Sequence, residues 1–286
     1  MYSLFQYHYH KGYCFNGAHD LFWECVYVLE GTIHASGDER IYDLTPGRII
    51  FHKPMELHKF SVTSDGGARL MIFTFTLNGH AASNLKNRVF TLDAEQQQLL
   101  SGILDYAASK SAQISIPPEL SYSQRWLAPA AHSPFYLQRI ACDLHRLFLS
   151  LADSGSITES LSTPETELYR KAVRYMLSHL NCQLSVSDIS RYCSVSDSSL
   201  KRVFAKYAGM SVHRYFLILR LNAAAEMLQT GKTITEVADT LNFSSQSYFS
   251  VSFRREMGIS PSEYKSGAPL PASPSGHLLL QESEHL

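Results

Sequence analysis

The chain has 286 residues, 45% of them apolar and 12% aromatic, and a formal net charge of −1. That length suits two domains of ordinary size, and the composition excludes a disordered or collagen-like chain. Five cysteines, Cys14, Cys25, Cys142, Cys182 and Cys193, form no close pair, which argues against a zinc or redox motif and a secreted disulfide framework, and for a reducing cytoplasm.

Met1 to Cys14 carries histidines and tyrosines where a signal peptide has a basic stretch and an apolar core, and no apolar run approaches the roughly 20 residues of a membrane helix. The expectation is a soluble, cytoplasmic protein with no membrane partner. From Leu21 to Leu77 short β-rich runs alternate with turn residues: Leu21 to Leu29, Thr32 to Ala35, Ile41 to Leu44, Arg48 to His52, His58 to Val62 and Leu70 to Leu77. Strands this short, joined by turns such as Glu30-Gly31 and Pro46-Gly47, predict a small antiparallel barrel or sandwich.

After Thr91 the period becomes helical, with Leu92, Leu99, Leu100, Ile103 and Leu104 on one face and a second amphipathic stretch over Phe135 to Leu151. Two such helices flanking a barrel suit a homodimer. Ser111 to Ser133, rich in Ser, Pro and Ala, reads as an irregular connection. Residues 153–163 read as a polar linker after a first domain at 1–152. A helix then starts with Thr163 as N-cap and Pro164 at its first position.

The most informative feature is an internal repeat. Ser185 to Tyr215 resembles Thr233 to Tyr264, each opening on a capping box, Ser185 with Asp188 and Thr233 with Glu236. A short helix, a tight turn at Val195 or Phe243, and a second helix from Ser196 or near Ser244 and Ser245 follow. Gly209 and Gly258 end these helices, and the two copies are offset by 48 residues before the turn and 49 after it. Leu200, Val203 and Phe204 match Phe249, Ser252 and Phe253 on an inward face. A capped helix, a turn and a second helix with a polar outer face make a helix-turn-helix. Val212, Tyr215, Phe216, Leu219, Ala223 and Met227 place one long helix between the two units. Charge agrees in sign: residues 1–163 carry a net −3, and 164–266 a net +4. The tail, 267–286, reads as disordered from its Pro, Ser and Gly.

Residues 164–265 resemble the DNA-binding domain of the AraC/XylS family of transcription regulators, most specifically over Asn242-Phe243-Ser244-Ser245-Gln246-Ser247-Tyr248-Phe249 and Gly258-Ile259-Ser260-Pro261-Ser262-Glu263-Tyr264. The resemblance implies double-stranded promoter DNA, and RNA polymerase, as partners. It places base-reading positions at Ser198, Lys201 and Arg202 in the first unit and at Ser247, Ser250 and Val251 in the second. The family often has arginine where this chain has Val251, a side chain that offers a thymine methyl contact in place of a guanine one. Gln246, Arg254 and Arg255 read as phosphate-facing groups.

The strand series around Asp43 to Phe51 and Pro54 to His58 resembles the cupin-like barrel that precedes the DNA-binding domain in many family members. That implies a small-molecule effector such as a sugar or metabolite, with His8, His10, His19, Trp23, Tyr27 and His58 as candidate pocket or arm residues. Trp23 and Tyr27 share a strand face and can line a pocket together, although packing in a core is the favoured reading. Cupin enzymes bind metal through His-x-His, Glu and a later His. Here His58 stands at the late position, but only Trp23 and Glu24 precede Gly31, and His8 and His10 lie ahead of the predicted strands. The expectation is therefore a sensor with no metal, cofactor or catalytic residue, joined to an all-α domain of two helix-turn-helix units and a long connecting helix. The alternatives are a regulator whose barrel only dimerises, and a metal-dependent cupin enzyme fused to a DNA-binding domain.

Overall fold

The computed structural model describes residues 3–18, 22–77, 79–86, 88–117, 119–120, 122–155 and 160–267. Strands β1 (Ser3–Tyr9), β2 (Cys14–Ala18), β3 (Trp23–Glu30), β4 (Ile33–Gly37), β5 (Arg40–Leu44), β6 (Arg48–His52), β7 (His58–Val62), β8 (Ala68–Phe75) and β9 (Val89–Thr91) build two antiparallel sheets. One has the order β1-β8-β3-β6-β9 and the other β2-β7-β4-β5. Their facing sides form the barrel interior, where Val26, Val28, Ile33, Tyr42, Leu44, Ile50, Phe60, Val62, Leu70 and Ile72 pack together.

The five-stranded sheet is buried on both faces, which is why β3 reads as an almost unbroken apolar run. Its outer face, carrying Trp23, Cys25, Tyr27, Phe51 and Phe73, packs on the helices that follow. These are α1 (His80–Leu85), α2 (Ala94–Ser111), α3 (Tyr122–Leu127) and α4 (Tyr136–Asp153). The side chains of Asp93 and Gln96 form the capping box that starts α2, and Tyr136 Oη donates to the Trp126 carbonyl at 2.9 Å, tying α4 to α3.

Two expectations need correction. The stretch ahead of Leu21 supplies strands: β1 pairs along its length with β8, and β2 pairs with β7. The segment 111–133 contains α3 and a 3-10 turn (Ala128–Ala131), anchored because the Trp126 indole has an apolar core to enter.

The second half comprises α5 (Pro164–Leu177), α6 (Val186–Cys193), α7 (Asp197–Ala208), α8 (Val212–Gln229), α9 (Ile234–Thr240), α10 (Gln246–Met257) and α11 (Pro261–Lys265). Thr163, Ser185, Ser196, Ser211, Thr233, Ser245 and Ser260 cap them, each side chain accepting from the amide three residues on. Helix α8 enters both units. Its first turns, with Tyr215, Phe216 and Ile218, join the core of α5, α6 and α7, while Leu221, Ala225 and Leu228 join that of α9 and α10.

Candidate nucleic-acid interface

The two helix-turn-helix turns use the same backbone device. Ser194 and Asn242 both have positive φ, 61° and 52°, and lie 48 residues apart. The caps of the second helices, Ser196 and Ser245, lie 49 apart, so the extra residue of the second unit falls between Asn242 and Ser245. Gly209 and Gly258 then stop α7 and α10 in the left-handed conformation, at φ 68° and 71°, which a residue with a Cβ adopts at a cost.

Each unit also has a side-chain tie between its helices. The Ser187 and Ser190 hydroxyls both donate to the Asp197 carboxylate, the former at 2.8 Å, and these bonds hold its pKa below the ordinary carboxylate value. In the second unit the matching tie is neutral, Thr235 Oγ1 donating to Gln246 Oε1 at 3.0 Å.

With the inward faces buried, the outward faces are left for a ligand. Leu200, Val203, Phe204, Phe249 and Phe253 are buried, whereas Ser198, Lys201 and Arg202 on α7 are exposed together at successive helical positions. On α10, Ser247 is exposed, Ser250 half-buried and Val251 65% exposed. Arg254 and Arg255 are exposed at the C-terminal end of α10, where Arg255 Nε donates to Glu256 at 2.9 Å. Gln246 is exposed at its N-terminal end.

The candidate effector residues do not converge. His19 lies outside the described residues. His8 is exposed on the outer side of β1, and His10 follows that strand, its ring 5.9 Å from that of Tyr13. Trp23 and Tyr27 do share a face, but it is the face turned away from the barrel interior. Both are buried against the helices, with Trp23 Nε1 donating to the Leu77 carbonyl at 3.1 Å, so they pack and do not line a barrel pocket.

Among the described candidates His58 alone points into the barrel, at one end of its interior. Its Nε2 is 3.1 Å from Glu24, and its ring stacks on His52 at 4.2 Å between centroids; His52 Nδ1 lies 3.1 Å from Glu56. All four side chains are buried. Burial, then the neighbouring His58, holds His52 well below an ordinary imidazole, and burial pushes the Glu56 carboxyl up. Among the described residues no group of three or more His, Cys, Asp or Glu side chains is arranged to hold a metal ion.

Beyond this cluster the barrel meets the second domain. Ile41 and Leu57 enter the core around α5 and α7. Lys59, only 8% exposed, donates to the carbonyls of Ala205 at 3.2 Å and Lys206 at 2.7 Å, and Ser36 Oγ donates to that of Tyr207 at 2.9 Å. Three carbonyls of the last turn of α7, orphaned by the end of the helix, are thus satisfied from the other domain. Tyr215 Oη donates to the Asp38 carbonyl and Asn222 Nδ2 to that of Met55, at 3.2 Å and 2.6 Å. Sequence reasoning missed Lys59, Ser36, His52 and Glu56. No local signal marked Lys59, because a lysine between inward-facing His58 and Phe60 is the ordinary alternation of a half-buried strand, and only α7 buries it.

Two family models match: a helix-turn-helix domain over residues 189–267 and an AraC-like ligand binding domain over residues 3–116. An uncharacterized HTH-type transcriptional regulator of Escherichia coli, YidL, is 33% identical over 244 residues, covering 84% of this chain and 74% of that protein. The probable transcriptional regulator LumQ of Photobacterium leiognathi is 24% identical over 248 residues, covering 86% and 90%. Among solved structures, ToxT from Vibrio cholerae O395 aligns over 92% of this chain and 97% of its own, at 16% identity and a TM-score of 0.38.

Proposed function

The chain belongs to the AraC family of DNA-binding transcription regulators, and on that premise we propose that it lays α7 and α10 in successive major grooves of promoter DNA under the control of a small molecule sensed by the barrel domain. The observation that carries the reading is the pair of capped units sharing α8, each with its apolar face buried and its recognition face exposed. A rigid shared helix fixes the separation of the two, and about 34 Å suits consecutive grooves on one side of the duplex.

In this reading Ser198, Lys201 and Arg202 read one half-site, with Arg202 on guanine O6 and N7, and Ser247, Ser250 and Val251 read the other. Gln246, Arg254 and Arg255 face phosphates. The sensor spans residues 1–152 and the DNA-binding domain 164–266. The effector acts through the barrel's hold on α7 at Lys59 and Ser36, since an effector must favour one domain arrangement over another to change DNA engagement. Helix α4, with Leu137, Leu149 and the preceding Phe135 exposed, supplies the face on which two copies pair, and RNA polymerase is the partner at the promoter.

The test is selection from random duplexes at several salt concentrations, with wild-type protein and Arg202→Ala. An enriched motif of two half-sites one helical turn apart, degraded at one half by the substitution, supports the reading. Binding that merely fades with salt and enriches nothing refutes it. A second reading, a regulator whose barrel serves only for assembly, draws on the apolar side chains that occupy the barrel interior. A compound that shifts DNA affinity without touching the C-terminal domain excludes it.

A further inference from the structure

Arg220 of α8 is 6% exposed, and among the described residues no carboxylate pairs with it. It donates through one terminal nitrogen to the Leu241 carbonyl and lies 4.1 Å from the Phe243 ring centroid and 5.7 Å from that of Phe216, while its Nε–H has no acceptor among the described residues. Burial pulls its pKa down, the signature of a cation short of compensation. A desolvated guanidinium is costly unless paired, and the two aromatic faces offset only part of that cost.

Arg220 lines a pocket of about 210 Å3 between the units, whose other polar walls are Gln183, His213, Ser244 and Tyr248. Each can donate a hydrogen bond, and none carries a negative charge. The pocket also sits where two helix starts converge: Gln183 precedes the cap of α6 and donates to the Asn242 carbonyl at 2.5 Å, and Ser244 precedes the cap of α10.

The repeat shows that the fold does not require this arrangement. The caps of α5 and α8, Thr163 and Ser211, lie 48 residues apart, which places Ala172 opposite Arg220 and Glu165 opposite His213. Ala172 is fully buried, so a methyl group completes the first unit's core where the second unit inserts a guanidinium. The corresponding groove of the first unit, about 540 Å3, is lined by Glu165, Glu167, Lys171 and Arg202 and balances its own charge. Only the second unit's pocket is left with donors and a buried cation.

We propose that this pocket is an anion seat that takes a phosphate of the DNA strand crossing between the two half-sites, with Arg220 as its floor and His213, Ser244 and Tyr248 as its rim. The inference rests on the DNA-binding reading and adds to it a contact that positions without reading bases, at the one place where a single phosphate is held by both units. A merely structural Arg220, stacking on Phe243 and capping α9, is the competing account.

The experiment uses the full chain and a selected duplex, with binding followed by fluorescence anisotropy across about 50 to 200 mM salt. The phosphates between the half-sites are replaced one at a time by neutral methylphosphonates. Wild-type protein is expected to weaken several-fold at one or two of these positions. Arg220→Gln should lower the slope of log affinity against log salt by about 0.9 and become insensitive to those positions. The rim variant Ser244→Ala with Tyr248→Phe leaves the guanidinium in place, and it should lose part of the same sensitivity even if Arg220→Gln fails to fold. Unchanged sensitivity in the rim variant, or in a folded Arg220→Gln, overturns the seat while leaving DNA binding intact. Wild-type protein that binds no duplex overturns both.

Discussion

Arg202 is the side chain on which most of the base reading rests. It is exposed on α7 beside Lys201, while its neighbours Val203 and Phe204 are buried, so truncation removes a contact without opening the core. Arg202→Ala is expected to cost about 1 to 3 kcal/mol of discrimination at one base pair of the first half-site and little stability, measurable by competition between cognate and mismatched duplexes. Val251 is the reverse case, an apolar side chain where a guanidinium would serve. Val251→Arg should create a guanine preference at one position of the second half-site, and a selection that returns the wild-type motif would refute its placement there. The outward face of each recognition helix was legible because it follows from helical period, while the choice of these residues as base readers is what the family resemblance implies. The pairing of His58 with Glu24 was not legible, because its partners lie 34 residues apart on strands whose register only the closed barrel sets.

At the scale of the element, caps and ties decide how firmly the recognition helices are presented. Ser185 and Thr233 each bond the amide and carboxylate of their capping boxes, and Ser185→Ala or Thr233→Ala should each cost about 1 kcal/mol in denaturant unfolding. The acid response of the two units should differ. Asp197 is held below its ordinary pKa of 3.8 by hydrogen bonds from Ser190 and then Ser187, so it binds fewer protons folded than unfolded. Its contribution to stability is therefore complete above 3.8 and lost as pH falls through the lower, folded value. In an acid titration followed by circular dichroism between about pH 5 and pH 1, Asp197→Asn should flatten part of the wild-type loss, whereas Gln246→Ala, which removes the neutral tie, should leave the acid response unchanged. Capping boxes span three residues and the ties seven to eleven, which is why the former were visible in the chain and the latter only in the fold.

At the scale of the molecule, the contact to test is the barrel's grip on α7. Lys59 and Ser36 reach carbonyls 146 and more residues away, and Ile41 and Leu57 are part of the second domain's core. The two halves should consequently unfold together. Lys59→Met keeps the apolar stem and removes the charge that meets the helix end, and it is expected to resolve the single calorimetric transition into two. The same variant should weaken any effector response while the salt dependence of DNA binding persists. A single transition at the wild-type temperature would show that the grip contributes little.

The sequence by itself determined the helix starts and stops of the repeat, the repeat itself, the long shared helix and most strands of the barrel, because each depends on residues a few positions apart: a hydroxyl and the amide three residues on, or an apolar side chain every second or every third to fourth residue. Only the tertiary structure decided that Trp23 and Tyr27 turn away from the barrel interior, that Lys59 closes the end of a recognition helix, and that Arg220 is buried with no counter-charge among the described residues. Those outcomes depend on which face of a strand or helix is covered and on what distant segment covers it, and neither is encoded by local period or spacing.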